Sequence, residues 1–245
     1  MKKKGISNFI TVPLGLLVLI ILLIVFYPFI SKFLEGLLGY SYQPLDTKKI
    51  IPVPIPNDVL SSINKYNNEI KTATSNIKPS GSYAEVDKNL VIALIAKSSN
   101  ADPRFISDCG SVGLMQIKPE TAILNDLKIF ESSRLNELEG CKNKEINLEY
   151  SNKLRKEIEN KQDEDTIKID ERFNPALNIK TGINYLSLLL KRYDGNEQYA
   201  LAAYYYSPNE FERNCKEQFI ACKKRDKKMA DFINSVIAYK KSLET

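Results

Sequence analysis

The stretch Val91-Ile-Ala-Leu-Ile-Ala-Lys-Ser-Ser-Asn-Ala-Asp-Pro-Arg-Phe-Ile-Ser107, followed by Gly113-Leu-Met-Gln-Ile-Lys-Pro-Glu-Thr-Ala122, decides how this chain folds. Leu90, Val91, Leu94 and Ile95 recur at helical spacing on one face, and Asp87 just ahead of them is a residue type suited to capping a helix N-terminus. Pro103 has no amide proton and disfavours the α conformation in its predecessor, so the helix is expected to stop before it and give way to a turn. Working outward, Ile179, Ile183, Leu186 and Leu190 share one face of a second helix, started by Asn174 or Asn178 and followed by Gly195. Phe232, Ile233, Val236 and Ile237 mark a third. No run of period-two alternation competes with these, so the domain is predicted to be mainly α.

Four motifs stand in order along this part of the chain: the opening stretch, Phe173-Asn-Pro-Ala-Leu-Asn-Ile-Lys-Thr-Gly-Ile-Asn-Tyr-Leu186, Ala200-Leu-Ala-Ala-Tyr-Tyr-Tyr-Ser-Pro208, and Val236-Ile-Ala-Tyr239. Together they resemble the soluble-lytic-transglycosylase family. In that family a helix ends in Glu-Ser, an Asn/Asp-Pro turn follows, and Gly-Leu-Met-Gln leads into Pro-x-Thr-Ala. Later come Asn-Ile-x-x-Gly-x-x-Tyr-Leu, Ala-Leu-Ala-Ala-Tyr-Asn-Ala-Gly-Pro and a closing tyrosine. The resemblance implies a mainly α, lysozyme-like domain over residues 84–245, with insertions at about 123–172 and 209–228.

The resemblance also implies a reaction. Family members cleave the MurNAc-GlcNAc bond of peptidoglycan without water, leaving a 1,6-anhydro product, and one glutamic acid carries both the proton donation and the later proton removal. This single-acid scheme departs from the two-carboxylate arrangement of most glycosidases and requires no cofactor or metal. At the glutamate's position this chain has Ser98. A serine hydroxyl is no acid near neutral pH, and the chain has no histidine to activate it as a nucleophile.

The family pattern places Ser99, Gln116, Met115, Tyr204, Tyr205 and Tyr239 as substrate-binding residues around that position, although Met115, like Leu114, also reads as packing. Tyr205 stands where the family has asparagine, so a larger phenol replaces an amide that both donates and accepts. Tyr204, Tyr205 and Tyr206 are equally read as sugar-stacking rings or as core. The nearby carboxylates of Asp102, Asp108 and Glu120 read as caps or surface groups. Glu85 is more than three helical turns from Ser98, about 20 Å along the axis, and cannot act in its place.

The remaining segments set the context. Residues 1–8 include Lys2, Lys3 and Lys4, and residues 9–30 are uncharged and dominated by Leu, Ile, Val and Phe. A run of that length spans a bilayer, and the lysines predict a cytoplasmic N-terminus with the C-terminal domain outside the cytoplasm. The run exceeds a signal-peptide core and is not followed by a small-x-small cleavage site, so a single-pass, uncleaved anchor in the cell membrane is expected.

Residues 31–83, with Pro52, Pro54 and Pro56, read as an extracytoplasmic stalk, interrupted by a short helix over 58–72 capped by Asp58. Beyond the membrane the four cysteines suit disulfides. Four cysteines allow three pairings; Cys215 and Cys222 are near enough to close a local loop, leaving Cys109 with Cys141. No pair has metal-ligand spacing, so no metal is expected.

Charged residues are 27% of the chain and the net charge is +5, with no basic stripe interleaved with aromatics, so nucleic acid is excluded as a partner. The segment 123–172 is dense in charge, and Leu138, Ile146, Leu148, Leu154 and Ile158 are too sparse to give it a core of its own. The first insertion is expected to pack as charged helices over the groove edge, tied back by Cys141, and both insertions read as solvated decoration ahead of a recognition role. Two readings stay open: a membrane-bound lytic transglycosylase whose acid has been replaced, and a glycan-binding or scaffold protein of the envelope that holds a strand without cutting it.

Overall fold

A computed structural model describes residues 50–141 and 143–245. The basic N-terminus, the expected membrane span at 9–30 and the stalk as far as residue 49 lie outside the described residues. Among the described residues no helix is long and apolar enough to cross a membrane. The chain divides into two units, Met1–Asp46 and Thr47–Thr245, and the second is the one described.

At its centre is the helix of the opening stretch, Lys88–Ser99, numbered α3 in chain order. Every residue from Leu90 to Ala96 is buried, so this helix is apolar on all sides and is enclosed rather than laid on a surface. Asp87 caps it as expected, accepting a hydrogen bond from the amide of Asn89 at 2.7 Å. It ends at Asn100, whose left-handed φ of 52° stops the helix short of Pro103.

Helix α12, Lys227–Leu243, packs along α3 and buries Ile233, Val236 and Ile237. Helix α8, Pro175–Arg192, and α9, Glu197–Tyr205, pack on each other and close the core with Ile179, Ile183, Leu186, Leu201 and Tyr204. The start of α8 falls to Asn174, whose side chain accepts from the amides of Ala176 and Leu177, and not to Asn178. Each fully buried Leu or Ile in this core contributes about 1.5–3 kcal/mol relative to exposure.

The stalk expectation fails for residues 50–83, which are part of the domain. Ile55, Ile63 and Ile70 are 4%, 0% and 0% exposed, and the Val53 amide donates to the Ala238 carbonyl at 3.2 Å. Two helices form here, α1 (Asn57–Asn64) and α2 (Asn67–Asn76), and they pack against α3 and α8. Pro56, not Asp58, occupies the cap position of α1, and no side chain caps it. A polar, proline-bearing segment can thus join a core when each short helix offers a single well-placed isoleucine.

The first insertion likewise differs from its reading as decoration without a core. After the short α4 (Pro119–Ile123), which belongs to the opening motif, it holds α6, Lys144–Ile158, and α7, Asp163–Ile169, together with the short α5 (Leu135–Leu138). Leu138, Tyr150, Leu154 and Ile158 bury themselves with Ile106, Val112 and Phe173 in a second apolar cluster. The insertion's own residues are indeed few; the cluster closes because three apolar side chains come from outside it. Asp170 and Arg172, both 0% exposed, form an ion pair beside this cluster.

The expected disulfides are both present, Cys109–Cys141 and Cys215–Cys222. The first ties the turn after α3 to the insertion across a separation of 32 residues. Loop closure on that scale restricts the unfolded chain, so a Cys109→Ser/Cys141→Ser variant is expected to lose about 3–4 kcal/mol. Urea unfolding checks this, and a loss below about 1 kcal/mol would count against it.

The second insertion is also rooted in the core. Helices α10, Pro208–Asn214, and α11, Phe219–Arg225, bury Phe211, Phe219 and both cysteines, and Phe211 and Phe219 meet Tyr193 and Tyr199 in edge and tilted ring contacts. Such contacts add about 0.5–1.5 kcal/mol per pair beyond area burial.

Candidate functional site

Three of the sequence motifs converge on one turn. Val112 and Ile117 exchange backbone hydrogen bonds at 3.1 and 3.0 Å, making a minimal hairpin whose turn is Gly113-Leu114-Met115-Gln116. Gly113 has φ +82°, and a Cβ there would lie 2.3 Å from the Asn178 side-chain nitrogen and 2.6 Å from the Arg172 carbonyl, so only glycine fits.

The polar groups of the turn are satisfied from three directions. Ser99 Oγ donates to the Leu114 carbonyl at 2.8 Å, and Tyr204 Oη donates to the Met115 carbonyl at 2.7 Å. Asn178 Oδ1 accepts from the Met115 amide at 2.8 Å, while Nδ2 donates to the carbonyls of Val112 and Arg172. Gly182 of α8 lies so close to Met115 that a Cβ would come within 2.5 Å of Sδ. The sequence motifs on α3, α8 and α9 are therefore parts of one clamp on the turn.

This changes the standing of three predicted substrate contacts. Ser99, Met115 and Tyr204 are 4%, 0% and 6% exposed, and their polar atoms face the protein, so they hold the turn in place instead of presenting groups to solvent. Asn178, which sequence reasoning read only as a helix start, is fully buried and supplies the central pin. The signal was present: a buried-face asparagine inside an apolar helix stripe must have main-chain partners.

Gln116 sits at the tip with φ +53°, partly exposed, its Nε2 donating to the carbonyls of Phe105 and Gly113 at 3.0 and 2.9 Å. Its side-chain oxygen is left to accept from a ligand.

Ser98 occupies the last turn of α3, next to Ser99, and is partly exposed; among the described residues its hydroxyl has no hydrogen-bond partner. Among the described residues no neighbouring carboxylate is presented in its place. Asp102 is exposed and accepts from the Arg104 amide at 2.8 Å, and Asp108 pairs with Arg155 at 3.0 Å, as a capping and a surface group respectively. Glu120 departs from that reading: both carboxylate oxygens are shielded from solvent and lack a hydrogen-bond partner, so it is neither a cap nor a surface group.

Aromatic side chains cluster at the end of α9. Tyr205 is partly exposed and its ring meets Tyr206 at 5.2 Å and Phe232 at 5.4 Å between centroids. Tyr239 is partly exposed on α12. Lys118 Nζ donates to the main-chain carbonyls of Tyr205 and Tyr206, fixing the end of α9 against the hairpin. Burial pushes the Lys118 ammonium below the usual lysine value, with Glu120 and Glu210 acting in opposition.

Several phenols of the domain resist ionisation. Burial raises Tyr204 and Tyr185 well above the ordinary tyrosine value, and raises Tyr150 to about 12 against a partial lowering by Arg172. A tyrosine in the unfolded chain titrates near 10, so the fold favours the neutral phenol. The contribution is complete below pH of about 10 and is lost as pH rises through the folded values. Urea midpoints are expected to fall steeply above pH of about 10, with phenolate absorbance appearing together with loss of helix. Titration of all tyrosines below pH of about 11 with helicity retained would refute this.

The sequence model of the transglycosylase SLT domain matches residues 75–167 and 154–227, an overlapping pair that spans the clamp, the first insertion and Tyr205. Among solved structures, the 70 kDa soluble lytic transglycosylase of Escherichia coli is similar at 18% identity and a TM-score of 0.45, covering 71% of this chain and 23% of that one. An inactive mutant of the lytic transglycosylase Slt from Pseudomonas aeruginosa is similar at 14% identity and a TM-score of 0.40, covering 88% and 28% respectively. This chain thus matches about a quarter of the length of each. With the family match running over more than half of its residues, this mainly helical chain belongs to the transglycosylase SLT domain family.

Proposed function

We propose that the domain holds a strand of peptidoglycan, or of a related wall glycan, in the groove beside the Gln116 turn, and that it does not cut the strand by the family's acid-dependent route. The observation that carries this is Ser98, a partly exposed hydroxyl without a partner at the position where the resemblance places the catalytic glutamate. The clamp on the neighbouring Gly113–Gln116 turn, where Ser99, Asn178 and Tyr204 hold the main chain, supports a retained site from which the acid is missing. Tyr205 and Tyr239 supply ring faces, and Gln116 an amide, for neutral sugars.

The run at 9–30 supports a setting at the cell membrane, with a cytoplasmic N-terminus and the domain facing the wall. The second reading, an enzyme fold whose glutamate alone has been exchanged, is weakened by Tyr205, because the resemblance gives that position, too, to the substrate site.

Retention on purified peptidoglycan together with assay of 1,6-anhydro-muropeptide release separates these readings. Binding without release, in the chain as it stands and after Ser98→Glu, supports a strand-holding protein. Release restored by Ser98→Glu assigns a catalytic design to the groove. Neither binding nor release removes the glycan assignment altogether.

A further inference from the structure

A cleft of about 720 Å³ lies between the turn that follows α3 and the C-terminal end of α6 in the first insertion. Two guanidiniums lash its walls together in opposite directions. Arg104, on the turn, donates to the Ile158 and Lys161 carbonyls at 2.7 and 3.0 Å, and Arg155, on α6, donates to the Ile106 carbonyl at 2.7 Å and to Asp108 at 3.0 Å. The Cys109–Cys141 bridge ties the same turn to the insertion. A cleft fixed in this way loses little freedom when a ligand enters.

Its lining has a definite chemistry. The Phe105 ring, 42% exposed, is its main apolar surface, with Ile106 and Ile158, each 5% exposed, forming the floor behind it. Asp102, Asp108 and Glu159 are exposed carboxylates on the rim. Both arginines are already committed to carbonyls and carboxylates, so the cleft has acceptors in excess of free donors and disfavours phosphate. A sugar residue is the complementary ligand, because it offers C–H faces to an aromatic ring and hydroxyl donors to carboxylates.

The cleft is also joined to the groove. The Phe105 carbonyl accepts from the Gly113 amide at 2.9 Å and from Gln116 Nε2 at 3.0 Å, so the residue that presents its ring to the cleft is fastened by its backbone to the Gln116 turn. Arg155, Ile158 and Glu159 come from the insertion and not from any of the four family motifs.

We propose that this cleft is a second glycan subsite, built by the insertion, which engages hydroxylated, N-acetylated sugars of the same strand beyond those held at the Gln116 turn. The proposal rests on the glycan reading above and adds a requirement for strand length. Long strands bind through both sites and short ones through the groove alone.

Titration calorimetry of the full chain in detergent, with peptide-free tetrasaccharide and decasaccharide prepared from peptidoglycan, tests this. Phe105→Ala and Glu159→Ala, both at exposed side chains, are each expected to weaken decasaccharide binding by about 3- to 10-fold and to leave tetrasaccharide binding within about 2-fold. Tyr205→Ala is expected to weaken both. Unchanged decasaccharide binding in the first two variants, while Tyr205→Ala still reduces it, would overturn the cleft and leave the groove standing. No binding of either sugar by the unmodified chain would overturn the glycan reading and the cleft with it. Circular dichroism of each variant establishes that the fold is retained.

Discussion

Replacing Ser98 with glutamate is expected to raise release of 1,6-anhydro-muropeptides from peptidoglycan by about 10²–10⁴-fold over the unmodified chain if the groove is catalytic in design, and not at all if it only holds the strand. The position favours a clean outcome. Ser98 lies in the last turn of α3, partly exposed and without a hydrogen-bond partner, so a longer carboxylic acid displaces no existing bond. Among the described residues nothing else nearby supplies a presented acid, since Asp102 and Asp108 are engaged and Glu120 is shielded.

Tyr205 is the complication, because the family has an amide there. A Ser98→Glu/Tyr205→Asn pair is therefore expected to exceed Ser98→Glu alone if catalysis is recoverable. Our proposal is that Ser98→Glu by itself releases no product while binding persists. Product formation by the single variant at the upper end of that range would overturn it in favour of a simple loss of the acid.

The second large effect concerns stability. Arg172 is fully buried, and its guanidinium donates to both oxygens of Asp170 at 2.9 and 2.6 Å, to Tyr150 Oη at 2.9 Å, and to the Gly110 and Ile117 carbonyls at 2.7 and 3.0 Å. Arg172→Met would leave a buried carboxylate and two carbonyls without this donor, an arrangement that costs about 3–5 kcal/mol. For a unit of this size that corresponds to a fall in Tm of roughly 6–20 °C.

The double variant Arg172→Met/Asp170→Leu is expected to regain much of the loss, because replacing a buried ion pair by apolar groups is often neutral. Thermal unfolding of both variants checks this. A single variant within about 1 kcal/mol of the unmodified chain would show that the pair contributes little. Because Ile117 closes the hairpin that presents Gln116, the single variant is also expected to bind glycan more weakly than its stability alone would require.

These two residues illustrate how differently parts of the molecule can be read. Ser98 was legible because the motif on either side of it is local: a helix end, a turn and Gly-Leu-Met-Gln lie within one continuous stretch. Arg172 was not. In sequence it is one basic residue in a charged insertion, and its burial depends on Gly110, Ile117 and Tyr150, which are 62, 55 and 22 residues away. The same holds for Asn178, whose partners at Val112 and Met115 are 66 and 63 positions distant.

Helical periodicity and capping chemistry were sufficient by themselves to determine a mainly α domain and both ends of α3, since each depends on neighbours within a turn or two, and the motif resemblance marked the missing acid at position 98. The bonding of Ser99, Met115 and Tyr204 to a hairpin instead of to solvent was decided only by tertiary structure. So was the burial of residues 50–83 and of the insertion: a few apolar side chains are too sparse to form a core alone, and become one only when distant segments supply the rest. Side-chain role follows what a group faces, and that is set by contacts far apart in the chain.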